Sequence, residues 1–154
     1  MKIRVELDES IEEQEIIIRA PRFTPEISQL QSIITEATKA TKALEFFKGD
    51  TRIYLSLDEV LFFETDEKGI SAHTKDDSYE IRYKLYELET MLPGFFMRVS
   101  KSTILNTKRI FAIDRNLYSS SVVSFRDTHK QVFVSRHYYK MLIEKMEEKR
   151  SLYE

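Results

Sequence analysis

Phe95-Phe96-Met97-Arg98-Val99-Ser100-Lys101-Ser102-Thr103-Ile104-Leu105-Asn106 is the stretch on which the reading of this chain turns. Pro93-Gly94 ends whatever precedes it, and Phe96 to Val99 then reads as the start of a buried strand. Ser100 to Thr103 sets one cation and three hydroxyls on four consecutive residues. Ile104-Leu105 restores an apolar anchor, and Asn106 closes the run. A cationic hydroxyl run held between apolar anchors presents hydroxyls, an ammonium and backbone N–H groups at a surface. That chemistry suits phosphate oxygens, and a long side chain there reaches a base edge. The competing reading is an ordinary strand-to-turn boundary, where Ser, Thr and Asn are common. Taken alone, the stretch favours the turn.

The charge around it shifts the balance. Residues 1–93 hold twelve Lys+Arg against twenty Asp+Glu. Residues 94–142 hold nine cations (Arg98, Lys101, Lys108, Arg109, Arg115, Arg126, Lys130, Arg136 and Lys140) against Asp114 and Asp127 alone, an asymmetry hidden in the net charge of −2. Mixed signs serve solubility equally well, so an excess of one sign over one half points to a polyanionic partner whose phosphates it neutralises. The acidic half would then limit nonspecific adhesion.

Towards the N-terminus, Ile3, Val5 and Leu7 alternate with Lys2, Arg4 and Glu6, the pattern of a strand. Asp8-Glu9-Ser10 offers a turn, and Glu15 to Ala20 is a second short strand run ended by Pro21. Thr24-Pro25 is an N-cap and first-turn pair with Glu26 favourable beside it, and Ile27, Leu30, Ile33, Ile34 and Ala37 follow at helical spacing. Residues 1–43 therefore read as a small β-β-α segment. Its apolar stripe packs on its own strands or serves dimerisation, and Lys39–Ala43 is a linker.

Residues 44–154 read as a second domain, mostly β. Ile53, Leu55 and Leu57 share one face of an alternating run, and Val60-Leu61-Phe62-Phe63 is apolar on both faces, hence a central strand. Asp66-Glu67-Lys68-Gly69 turns into Ile70–Thr74, and Lys75–Ser78 turns into Tyr79–Tyr83. Leu85, Leu88, Met91 and Leu92 make a short helix stopped by Pro93. Strands follow at Arg109–Ile113, Ser121–Phe125 and Gln131–Val134. Ser135 then caps a last helix with Tyr138, Met141, Leu142 and Met146 on one face. Arg136 and His137 in its first turn oppose the helix dipole, a conflict that a bound anion at the free N–H groups removes.

Site chemistry is sparse. Zero cysteines exclude disulfides and thiolate metal sites. His73, His129 and His137 form no i, i+4 pair, and Glu64, Asp66 and Glu67 do not match a calcium loop. Three glycines leave no phosphate-cradling loop, so no enzyme, cofactor or small-molecule substrate is expected. There is neither an apolar signal core nor a run of roughly 20 apolar residues, and a cytoplasmic protein is expected.

Arg98-Val99-Ser100-Lys101-Ser102-Thr103-Ile104-Leu105-Asn106 resembles the signature of LytTR-type DNA-binding domains. Ser56 to Glu64 resembles the family's early strand pair, Leu85 to Pro93 its internal helix, and Val134 to Tyr139 its closing strand-to-helix motif. The four motifs span about residues 44 to 147 in the family's order. The resemblance implies an elongated antiparallel β domain that inserts loops into successive major grooves of double-stranded DNA. Two copies typically sit on paired repeats and bend the DNA.

Carried over by motif, Lys101 is the leading base contact, with Ser100 and Ser102 set for phosphate. His137 beside Arg136 reads a base at the closing motif, and Lys68 is a weaker third contact. Arg98, Lys108 and Arg115 complete the candidate set, although Arg98 has a structural alternative as a pairing partner inside the domain. Lys at 101 and His at 137 depart from common family forms. A receiver domain does not fit in residues 1–43, so receiver phosphorylation is not the expected switch. The resemblance also implies a membrane-protein partner as one expectation, as for some standalone members of the family. The alternative function is a protein-interaction module that uses a sheet edge or the 25–38 helix, with an incidental basic face.

Overall fold

The computed structural model describes residues 1–12, 14–38 and 44–153, with side chains described as far as 148. The expected linker, Lys39–Ala43, lies outside the described residues. The chain divides into two compact units, Met1–Thr35 and Glu36–Glu154.

The expected helix is present as α1 (Pro25–Thr38), of which residues 25–35 belong to the first unit. Thr24 caps it, with the Ile27 N–H donating to Thr24 Oγ1 at 3.3 Å. The two strands expected ahead of it are not formed. Residues 1–12 and 14–24 contain no strand, and Ile3, Val5 and Leu7 stand exposed. An alternating sequence becomes a strand only when its N–H and C=O groups find a ladder, and none of the described strands pairs with this one.

The second unit has two antiparallel sheets. The larger is built from β1 (Phe46–Lys48), β2 (Thr51–Ile53), β3 (Phe62–Asp66), β4 (Gly69–His73), β5 (Ser78–Ile81), β6 (Phe96–Arg98) and β7 (Thr103–Asn106). Their order is β2-β1-β5-β4-β3-β7-β6. The smaller has β8 (Ile110–Asp114), β9 (Ser121–Phe125) and β10 (Gln131–Val134) in the order β10-β9-β8.

Period-two alternation explains how the two fit. In β3, Phe63 enters one core with Val60, Ile104 and Leu88, while Phe62 enters a second core with Leu105, Val123 and Leu142. The first core is covered by α2 (Leu85–Met91), which buries Leu85 and Leu88 and stops at Pro93. The second lies against the smaller sheet and α3 (Arg136–Tyr153). On α3, Tyr138, Leu142 and Met146 face that core as the spacing predicts. Met141 is exposed instead.

One run differs from its alternating pattern. Ile53, Leu55 and Leu57 do line the first core, but β2 ends at Ile53. Ser56-Leu57-Asp58-Glu59 is a capping box on a 3-10 turn, with the Ser56 N–H donating to Glu59 Oε2 at 3.0 Å.

Asn106 fastens this turn to the sheet. Fully buried, it donates from Nδ2 to the Val60 carbonyl at 3.0 Å, and its Oδ1 accepts the Lys108 N–H at 3.0 Å. Asn106→Leu keeps the volume and strands both backbone groups. Each such orphan costs roughly 1–3 kcal/mol, so a loss of about 3 kcal/mol is expected. It should appear as a lowered urea midpoint at unchanged m-value.

Candidate nucleic-acid interface

Three segments far apart in sequence meet at one end of the second unit. The antiparallel registers Phe62–Leu105 and Arg98–Ile104 bring the β3–β4 turn and the β6–β7 loop to the same end. Backbone bonds then lock them together. The Thr65 N–H donates to the Ser102 carbonyl at 2.9 Å, and the Ser135 N–H donates to the Val99 carbonyl at 2.9 Å. The start of α3 thus stands beside the loop, which stands beside the turn.

The loop is rigidly made. Its neck is closed by the Val99 N–H on the Thr103 carbonyl at 3.0 Å. Ser100 Oγ accepts the Ser102 N–H at 3.2 Å and lies 3.3 Å from Ser102 Oγ, which in turn lies 3.4 Å from Thr103 Oγ1. Arg98 supports the loop from beneath. Its Nε donates to the Ser100 carbonyl at 2.9 Å, Nη2 to the Lys101 carbonyl, and Nη1 pairs with Glu89 Oε2 at 3.3 Å. The structure therefore gives the Arg98 guanidinium to the loop, the role that the sequence left as its structural alternative. Lys101 is left exposed at the tip.

Lys68 sits at the tip of the two-residue β3–β4 turn. Its acidic neighbour Asp66 is turned back into the hairpin, where the Ser71 hydroxyl and the Lys68 N–H hold its carboxyl below the usual carboxylate range. Arg136 and His137 occupy the first turn of α3, both exposed. The His137 ring stands edge-on to Tyr138 with centroids 4.9 Å apart. Arg115 comes from the β8–β9 loop to the same place, its guanidinium 5.1 Å from the Tyr139 ring centre. It shares a shallow hollow with Asn116, Ser121 and Arg136.

Lys108 does not join them. It lies past the far end of β7, its Nζ 3.9 Å from the Phe95 ring centre and 3.9 Å from Asp58 Oδ1.

Two cations that the motifs did not mark do join. Arg82 and Lys84 line one open hollow with Lys68, Arg98 and Lys101. Arg82 lies over Phe47, 3.9 Å from the ring centre, and both Arg82 and Lys84 are exposed. The available signal was Arg82 following Ile81 in the alternating run Tyr79–Tyr83, just past the end of β5. Among the described residues no cluster of His, Asp or Glu suited to a metal ion occurs, and no helix is long and apolar enough to cross a membrane.

Residues 50–147 match the family model of the LytTr DNA-binding domain. In Staphylococcus aureus strain bovine RF122 / ET3-1, an uncharacterized HTH-type transcriptional regulator is 25% identical over 149 residues, covering 95% of this chain and 98% of that protein. A counterpart in strain NCTC 8325 is 25% identical over 146 residues, again covering 95% and 98%. Helix-turn-helix is the wording of those proteins' names. Here every two successive described helices are separated by strands.

Among solved structures, the LytTr DNA-binding domain of a protein described as a methyl-accepting/DNA response regulator from Bacillus cereus matches with a TM-score of 0.60 at 25% identity. The match covers 66% of this chain and 97% of that one. With residues 50–147 matching the family model and the fold matching a solved LytTr domain, the chain belongs to the LytTr DNA-binding domain family.

Proposed function

We propose that this chain is a transcriptional regulator that binds double-stranded DNA sequence-specifically, placing its loops in successive major grooves of paired repeats. The observation that carries the reading is the convergence of the Lys101 loop, the Lys68 turn and the first turn of α3. Backbone hydrogen bonds from Thr65 to Ser102 and from Ser135 to Val99 hold them at one end of the domain. Loops on a rigid scaffold are where recognition residues are best placed.

Lys101, exposed on a loop whose hydroxyls already bond to one another, reaches the O6 and N7 acceptors of guanine. Ser100 and Ser102 retain hydroxyl capacity for a phosphate. At the start of α3, a phosphate on the first-turn N–H groups offsets the unfavourable placement of Arg136 and His137, and His137 reads a base edge from there. Lys68, Arg82, Lys84 and Arg115 supply sequence-independent attraction along the backbone. Lys108, at the opposite end, stands outside this contact set. Two copies on paired repeats act as a dimer on DNA.

The test is a fluorescence-anisotropy titration against a duplex of the protein's own promoter and against a scrambled duplex, at 50 and 200 mM salt. Binding should be selective and steep in salt. Lys101→Ala and His137→Ala should each lose about 10- to 100-fold on the promoter, the range of one good base contact. Weak, sequence-blind binding unchanged by either substitution would favour the protein-interaction module instead.

A further inference from the structure

We propose that the N-terminal segment joins two copies of this chain, residues 2–8 of one pairing antiparallel with residues 2–8 of the other about a two-fold axis through Val5. This does not rest on the DNA-binding reading and is tested without DNA.

The starting point is what the single chain leaves unfinished. Ile3, Val5 and Leu7 are 91%, 80% and 94% exposed, although they alternate with charge as one face of a strand should. The other face is already marked, because the Arg4 guanidinium and the Glu6 carboxylate lie 3.7 Å apart. Residues 1–35 form their own compact unit, yet a chain below about 40 residues rarely buries enough surface to stand alone. Oligomerisation is one of the usual remedies. Such a unit exposes a row of unpaired backbone groups and an apolar face together, which is a template for another strand.

The sequence of the segment selects which strand. Antiparallel pairing with itself about Val5 sets Lys2 opposite Asp8, Arg4 opposite Glu6, Ile3 opposite Leu7 and Val5 opposite Val5. Every charge meets its opposite and every apolar side chain meets another. Neighbouring registers lose this. Centring on Arg4 opposes Arg4 to Arg4, and centring on Glu6 opposes Glu6 to Glu6 and leaves Ile3 against Glu9. Parallel in-register pairing sets all four charges against themselves. The complementarity therefore fixes a second copy, an orientation and a register, and the contact is isologous as a two-fold dimer requires. A two-stranded ribbon is marginal by itself. Ile16, Ile17 and Ile33, also exposed in this unit, are the apolar surface on hand to cover its Ile3-Val5-Leu7 face. The second run offers a poorer match, Glu15 with Arg19 about Ile17, and a single two-fold axis passes through only one of the two strands.

The chain has no cysteine, so one introduced thiol is the only thiol present. Under mild oxidation, Val5→Cys should give a disulfide-linked dimer, because Cβ atoms directly opposite lie about 4.5–5.5 Å apart. Ile3→Cys should not, since its copy lies four residues along, roughly 13 Å away. In sedimentation equilibrium of the full chain, Arg4→Glu should weaken the dimer at least tenfold by setting glutamate against Glu6 twice. The exchange Arg4→Glu with Glu6→Arg should restore it to within about threefold. The proposal is overturned by a monomeric wild-type chain at about 100 μM, or by cross-linking through both Ile3→Cys and Val5→Cys. It is equally overturned by cross-linking through Ile17→Cys in place of Val5→Cys, or by an exchange variant no better than Arg4→Glu.

Discussion

Arg98→Ala is expected to abolish specific DNA binding almost as fully as removal of the loop itself, although Arg98 need touch no base. Its side chain is 22% exposed and spends three donors on the Ser100 carbonyl, the Lys101 carbonyl and Glu89. Without it, residues 100–102 lose the support that fixes their backbone. Re-ordering each residue on binding costs roughly 1–2 kcal/mol, so about 3 kcal/mol or more is at stake, equivalent to some 100-fold in affinity. Stability should also fall, by about 2 kcal/mol, since hydrogen bonds to a charged group are the stronger kind.

Arg98→Lys separates positioning from phosphate contact. A lysine keeps the charge but cannot serve two carbonyls and a carboxylate in one planar fork. If Arg98 positions the loop, the lysine variant binds nearly as poorly as the alanine variant, with the slope of log affinity against log salt unchanged. If Arg98 instead neutralises a phosphate, the lysine variant retains most of the affinity, and the alanine variant shows a slope shallower by about 1.

The fold was legible where burial writes a period into the chain. Phe62 and Phe63 are apolar on both faces because β3 is central and feeds two cores, and that run declares itself. The capping box at Ser56–Glu59 was hidden, because Leu55 and Leu57 keep a strand's alternation while the Ser and Glu close a 3-10 turn. β1, three residues long, exists through pairing with β2 and β5 rather than through its own pattern. The candidate residues were legible as chemistry, but their placement was not. The segments that carry Lys101, Lys68 and Arg136 meet through the bonds Thr65–Ser102 and Ser135–Val99, which join residues more than 30 apart in sequence and leave no local trace. Lys108 is separated from these segments for the opposite reason. It follows the signature closely, but the extended β7 carries the chain to the far end before Lys108 is reached. The N-terminal alternation was visible as well, but among the described residues no strand pairs with it.

Mild acid should destabilise the domain through one histidine. His73 lies in β4, stacked on Phe62 with ring centroids 4.4 Å apart, and Lys130 Nζ sits 3.4 Å from its Nδ1. Burial, aided by the Lys130 charge and opposed by Asp66, pushes its pKa down to about 4. Glu64 Oε2, 3.9 Å from Nε2, is therefore not paired with an imidazolium at neutral pH. An unfolded histidine titrates near 6.5, so between there and about 4 the unfolded chain binds the proton and the native chain does not. Stability from this group is complete above pH 6.5 and falls as pH falls towards 4. The loss is about 2 kcal/mol at pH 5 and approaches about 3 kcal/mol near pH 4.

Asp66 and Asp77 are held down, so their effects fall below the ordinary carboxylate range. Burial raises the Glu64 carboxyl, so its effect lies above that range and runs the other way, favouring the native state as pH falls. The difference in urea midpoints between wild type and a variant without the imidazole, from pH 8 to pH 5, therefore isolates His73. His73→Phe keeps the stack on Phe62 and removes the titration, and its stability should vary by about 2 kcal/mol less than wild type over that interval. Equal slopes for the two proteins would mean that His73 is not held neutral in the native state.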